Sequence, residues 1–214
     1  MQSIGVEVLR ASPDSWNEIK TTLEKGGLVC FPAPSGYKLA VDLMSPAAVG
    51  KLLTAKRRVQ NHPSLVFVPD EQWLPRVAAA VSDAARTLTR RFWPGALTLL
   101  VEANEGLDPK VRKPLTKAKG WLGVRQPEDD ISLRVVQTFN APLLVSSANL
   151  ASKRGAASVA QVRKNFGRTV DLLIDGGDVN GEARSTLVDV SGDEVHVVRA
   201  GTIDEAAIRS ALAG

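Results

Sequence analysis

Three consecutive cations, Lys56-Arg57-Arg58, follow directly on a segment with helical spacing of apolar residues. Cations at a helix C-terminus complement the macrodipole, and that role alone accounts for them. A second reading is chemical: Lys56 and Arg58, two residues apart beyond the helix end, form a fork able to grip a polyphosphate. Both readings stay open on spacing alone. Polar or cationic residues recur where predicted strands end, at Tyr37, Arg125, Ser147, Asn149, Ser185 and Arg199, which implies a shared cleft. Other chemistries lack their parts. His62 and His196 are far apart and Cys30 stands alone, so no metal-ligand cluster is expected. Ser147 has no obvious base, and neither a nucleophile elbow nor a phosphate-binding P-loop occurs. Lys, Arg, Ser and Asn suit a site that positions reactants and stabilises phosphate charge, as in group transfer on a nucleotide.

The elements that must position these residues are read from periodicity. Ser45 and Pro46 start a helix, with Val49, Leu52 and Leu53 on its inward face. Val6–Leu9 reads as a strand, and Ser12-Pro13 opens a helix carrying Trp16, Ile19 and Leu23, which Gly26-Gly27 ends. The buried strand Leu28–Phe31 stops at Pro32 and runs into a turn-rich loop over 32–39, a place where α/β folds hold ligands. Leu65–Val68 is the next strand, and a long helix is predicted over 75–91 with Val77, Val81, Ala84, Ala85 and Leu88 inward. Phe92-Trp93-Pro94-Gly95 breaks it. Residues 96–101 form a strand, 104–119 a basic loop with Lys110, Arg112, Lys113, Lys117 and Lys119, and 122–125 another strand. A helix over 131–139 precedes the buried strand 142–145. Ser158 with Gln161 reads as a capping box, as does Thr202 with Glu205. Residues 172–175 are a strand, and 186–190 with 195–199 form a hairpin. The expected fold is three-layered α/β with a mixed sheet.

The composition bounds the rest. At 214 residues and 44% hydrophobic content, the chain is read as one domain over 1–214 with a substantial core. Cys30, the single cysteine, excludes an intramolecular disulfide and sits in an apolar run as a core residue. A net charge of +4 favours anionic partners such as nucleotides or RNA. The N-terminus has no signal-peptide pattern and no run of membrane-spanning length occurs, so a cytoplasmic protein without membrane association is expected.

Taken in order, several segments resemble the YrdC/TsaC-like family. They are Phe31-Pro32 with Tyr37, Lys56-Arg57-Arg58 for a Lys-x-Arg pair, Phe92-Trp93-Pro94-Gly95-Ala96-Leu97-Thr98, Val124-Arg125 with Pro127, Ser147-Ala148-Asn149, Asp175-Gly176-Gly177, Ser185-Thr186 with Asp189, and Arg199 with Gly201. The resemblance implies a twisted mixed β-sheet around a basic concave cleft. It further implies threonylcarbamoyl-AMP synthesis from threonine, bicarbonate and ATP with Mg2+, in the service of tRNA modification. Lys56, Arg58, Ser147, Asn149 and Arg199 match the ATP-binding positions, with Lys56 and Arg58 as the catalytic pair. Tyr37, Arg125 and Ser185 match amino-acid-binding positions. The chain departs from the family pattern at Ala33, where the family has a hydroxyl, at Lys38 and Ala40, where it has glycines, and at Phe67, where it has a histidine. Ser35-Gly36-Tyr37 is similar to the YciO-type branch. These departures keep two alternatives in view, a paralogue acting on another amine and a non-catalytic module binding nucleotide or double-stranded RNA.

Overall fold

The computed structural model describes residues 6–56, 64–116, 120–149, 157–179 and 184–214. It is an α/β fold with ten strands in mixed pairing and eight α-helices among these residues. The chain divides into two compact units, each assembled from separate stretches: Met1–Val59 with Asp129–Glu182, and Gln60–Glu128 with Ala183–Gly214.

The first unit contains β1 (Glu7–Arg10), α1 (Pro13–Glu24), β2 (Val29–Phe31), β3 (Lys38–Asp42) and α2 (Pro46–Lys56). Later in the chain it adds α6 (Asp130–Phe139), β7 (Leu143–Ser147), α7 (Val159–Phe166) and β8 (Leu172–Asp175). Its strands lie in the order β1-β8-β2-β3-β7, with β1, β8 and β2 parallel and β3 antiparallel to both β2 and β7. Ser12 and Ser15 form a reciprocal capping box at α1, with Pro13 at the first position, as the dipeptide implied. Strand β3 is a correction: the loop expected over 32–39 ends at Lys38, where an antiparallel strand begins. Its alternation is hidden because Leu39, Ala40 and Val41 are all fully buried, and a strand covered on both faces has no period-2 signal.

The second unit contains β4 (Ser64–Phe67), α3 (Leu74–Val77), α4 (Asp83–Phe92), β5 (Leu97–Glu102), α5 (Pro109–Leu115) and β6 (Trp121–Arg125). β9 (Thr186–Asp189), β10 (His196–Arg199) and α8 (Glu205–Ala213) complete it. The strand order is β4-β6-β5-β9-β10, with β4 parallel to β6 and β5 parallel to β9, and the expected hairpin present as β9 and β10.

Three expectations are corrected in this unit. The helix read over 75–91 is two helices, because Ala78 is extended and bridges Ala103 while Ser82 caps α4 by accepting from the Ala85 N–H. The basic stretch 104–119 is no simple loop: Asp108 accepts from the Lys110 N–H, Pro109 takes the first helical position, and α5 buries Val111 and Leu115. Lys117 and Lys119 lie outside the described residues. The final cap is Asp204, accepting from the Ala207 N–H, while the Thr202 hydroxyl donates instead to the Arg184 carbonyl at 3.2 Å. A second correction falls in the first unit: Ser158 caps α7, but Gln161 Oε1 accepts from Ala157 N–H at 2.7 Å, one residue before the box geometry requires. No described helix is long and apolar enough to cross a membrane.

Candidate functional site

In the first unit, Val49, Leu52 and Lys56 share the buried stripe of α2, being separated by three and four residues. Lys56 therefore ends on the inward face, and only 4% of its surface is exposed. A buried ammonium needs acceptors for its protons. Nζ donates to the Ser147 carbonyl at 2.6 Å, to Asn149 Oδ1 at 2.7 Å and to the Asn149 carbonyl. Ser147 Oγ also donates to Asn149 Oδ1, and the Asn149 N–H folds back on the Ser147 carbonyl at 2.8 Å. Three of the sequence-predicted residues are thus one cluster, in which Lys56 fixes the turn leaving β7. Arg58 lies outside the described residues.

Tyr37 ties two loops of the same unit together. Its carbonyl accepts from the Ala148 N–H at 2.8 Å, in the turn held by Lys56. Its side chain is fully buried, with the hydroxyl donating to the Gly177 carbonyl at 2.8 Å and accepting from the Gly176 N–H at 3.2 Å. Burial raises the phenol pKa above its ordinary value, so the hydroxyl stays protonated and keeps its donor role. Cys30 is fully buried as expected, and desolvation pushes its thiol pKa far upward.

In the second unit, Leu100 opposes Gly123 and Thr98 opposes Leu187 across the sheet, so Thr98, Arg125, Ser185 and Leu187 project from one face. Arg199 joins them through a β-bulge: between Val197 and Arg199 the register of β10 slips, placing Arg199 opposite Leu187. Its Nη2 donates to the Ser185 carbonyl at 3.0 Å and approaches Ser185 Oγ at 3.4 Å. Ser185 Oγ in turn lies 2.8 Å from Thr98 Oγ1, where either hydroxyl can donate. These three residues, with Leu65, Leu100 and Gly123, line a cavity of about 240 Å3. Gly123 keeps it open, since a β-carbon there would stand 3.2 Å from the Thr98 methyl. Gly201 sets the spacing behind it, because a β-carbon would meet the Arg184 carbonyl oxygen at 2.4 Å.

Arg125 shares this face but is held differently. Its Nε donates to the Gly95 carbonyl at 2.7 Å and its Nη2 reaches Glu128 at 3.5 Å. The Gly95 N–H donates to the Gln126 carbonyl at 3.1 Å, so the Phe92–Gly95 turn is pinned to the end of β6 from both sides. Phe67 is 3% exposed in β4 and Ala33 7% exposed after β2. His196 is exposed and faces Glu194 at 3.5 Å. No group of three or more His, Cys, Asp or Glu able to hold a metal ion occurs among the described residues. Thr98 is a site residue that the sequence reading does not assign; its signals are a hydroxyl interrupting the apolar run 96–101 and its place at the end of the Phe92–Thr98 segment.

Residues 21–201 match the family model of the Sua5, YciO and YrdC proteins, described as "Telomere recombination". A relative from Mycobacterium leprae, named a putative threonylcarbamoyl-AMP synthase, is 32% identical over 89% of this chain and 84% of its own length. The threonylcarbamoyl-AMP synthase of Pyrococcus abyssi is 29% identical over 79% of this chain, which spans 48% of that protein. Sua5 from P. abyssi, solved in complex with L-threonine, superposes with a TM-score of 0.82 at 26% identity, covering 96% of this chain and 59% of that one. YciO from E. coli superposes with a TM-score of 0.77 at 21% identity, covering 97% of this chain and all of its own, and shows the fold alone. The chain belongs to the Sua5/YciO/YrdC family.

Proposed function

We propose that this chain is an ATP-dependent threonylcarbamoyl-AMP synthase-like nucleotidyltransferase, whose product serves tRNA modification. The observation that carries the reading is the grouping of Arg199, Ser185 and Thr98 at a cavity on one sheet face, in a chain whose family relatives are named for this reaction. The amine nitrogen of threonine takes up CO2 from bicarbonate and loses a proton, giving a carbamate. A carbamate oxygen then attacks the α-phosphorus of ATP, the bond from that phosphorus to the bridging oxygen breaks, and pyrophosphate leaves. No protein nucleophile is required, so the protein's work is alignment and charge stabilisation.

In this reading Arg199 and Ser185 hold ATP and acceptor on the second unit's sheet, with Arg125 beside them. Lys56 acts by holding Ser147 and Asn149 in place, and Arg58 supplies the phosphate-directed cation. On this reading Mg2+ enters with the phosphates of ATP, in keeping with its reluctance to lose water. A second reading, transfer to another amine, is favoured by Ala33 and Phe67. Apolar side chains at both positions remove partners for a hydroxyl, at a cost of about 1–3 kcal/mol for each group left unpaired.

The test is pyrophosphate release and adenylate formation with ATP, Mg2+ and bicarbonate, with and without threonine, beside an Arg199→Ala control. Threonine-dependent product, absent from the control, is expected. Product with a different amine moves the assignment to the second reading. ATP binding without turnover on any amine overturns both.

A further inference from the structure

The second unit holds a further cavity, of about 120 Å3, that shares no lining residue with the one bounded by Thr98, Ser185 and Arg199. We propose that it binds a small dipolar ion, the ammonium and carboxylate of a minimal α-amino acid such as glycine. The cavity lies where the helical turn Glu71–Trp73 packs on α4, with Leu74, Pro75 and Val81 as its apolar walls. Its charged lining among the described residues is one carboxylate, Glu71, and one guanidinium, Arg86.

A buried hydroxyl sets their geometry. Thr89, only 2% exposed, follows Arg86 by three residues, so both project from one face of α4. Thr89 Oγ1 donates to Glu71 Oε2 at 3.2 Å and lies 3.0 Å from the Arg86 carbonyl. The Glu71 carboxylate is thereby drawn onto the face that carries Arg86. The backbone beneath it is held by Asp70, whose Oδ1 accepts from the Gln72 N–H at 2.8 Å. Glu71 and Arg86 nevertheless form no ion pair, and neither the Arg86 guanidinium nor Glu71 Oε1 has a hydrogen-bond partner among the described residues.

Opposite charges that line one cavity without closing on each other leave a guanidinium fork on one side and a carboxylate oxygen on the other. A ligand carboxylate can accept two parallel N–H bonds from the fork while a ligand ammonium donates to Glu71, each bond charge-assisted. A molecule with only one charge satisfies one wall and sets its own charge near the like charge of the other. Size narrows the choice. A water molecule takes about 30 Å3, so the space is that of about four waters, which suits the five non-hydrogen atoms of glycine. Pockets for drug-sized ligands begin at about 300 Å3. This binding is independent of the nucleotidyl transfer above and stands whether or not the chain forms an adenylate.

The experiment is a titration of the full chain, without ATP, with glycine, followed by backbone amide shifts. Sodium acetate and methylammonium chloride serve as the two half-ligands. Saturable shifts at Gln72, Val81 and Thr89 are expected with glycine, with at least tenfold weaker binding of either half-ligand. Arg86→Ala is expected to weaken glycine at least tenfold, as is Glu71→Gln, which keeps an oxygen for the Thr89 hydroxyl and removes only the charge. Both positions are exposed, so both variants are expected to keep the unfolding midpoint of the parent. Acetate binding as tightly as glycine, indifference to either substitution in a folded variant, or the lack of saturable shifts at these amides overturns the proposal. Glycine-dependent shifts confined to Thr98 and Ser185, at the site of the proposed reaction, overturn it as well.

Discussion

Lys56 and Arg199 are both cations at the end of an element, and the sequence offers each as a phosphate ligand, yet the two units use them in opposite ways. Lys56 lies on the buried stripe of α2 with its ammonium surrounded by oxygens of Ser147 and Asn149. Arg199 is exposed, and both of its described contacts go to one residue, Ser185. A guanidinium has five donors, so two contacts leave most of its hydrogen-bonding capacity directed outward. The ammonium has three, and oxygens of Ser147 and Asn149 take them among the described residues. The same charge therefore organises backbone in one unit and offers itself to a ligand in the other.

That contrast can be broken by substitution. Lys56→Ala removes the buried ammonium that three oxygens of Ser147 and Asn149 share, and is expected to destabilise the protein by about 3 kcal/mol in urea unfolding. A loss below about 1 kcal/mol would mean that Lys56 is not structural. Arg199→Ala is expected to leave the unfolding midpoint within the range of ordinary surface changes, about 0.5 kcal/mol. The same variant is expected to weaken ATP binding at least tenfold, about 1.4 kcal/mol, by calorimetric titration. Were stability to fall and ATP affinity to hold, the roles assigned to the two cations would be exchanged.

Tyr37→Phe sharpens the comparison within the first unit. It removes one hydroxyl that serves two backbone groups, and because Gly176 and Gly177 are exposed enough to find water, the expected cost is about 1 kcal/mol. The smallest effect concerns Asp42, whose pKa is raised by burial, partly offset by the Met44 N–H. A carboxyl raised in the folded state lowers stability as pH climbs from the ordinary carboxylate value through the raised one. Asp42→Asn should flatten that part of the stability profile and leave the rest unchanged.

Much of this was legible in the chain. The Ser45-Pro46 and Ser12-Pro13 starts, the buried β2 and β7, the β9–β10 hairpin and the burial of Cys30 all follow from local patterns. Lys56, expected beyond the helix end, is instead the last residue of α2 and continues the buried spacing of Val49 and Leu52, while Leu53, expected inward, is half-buried. What misled were signals with two physical solutions. An apolar pattern over 75–91 fits one long helix until Ala78 finds Ala103 across the sheet, and Thr202 with Glu205 looks like a cap until Arg184 takes the threonine hydroxyl.

The sequence by itself determined which residue types could act and where most elements begin, because caps, prolines and burial periodicity are local physics. Tertiary structure decided which cation is sequestered and which is presented. The bulge that turns Arg199 onto the Ser185 face, the Thr98 hydroxyl beneath it and the three oxygens around Lys56 all depend on strands that meet only after long stretches of intervening chain. Hydrogen-bond saturation belongs to partners brought together in space, and no one-dimensional spacing carries it.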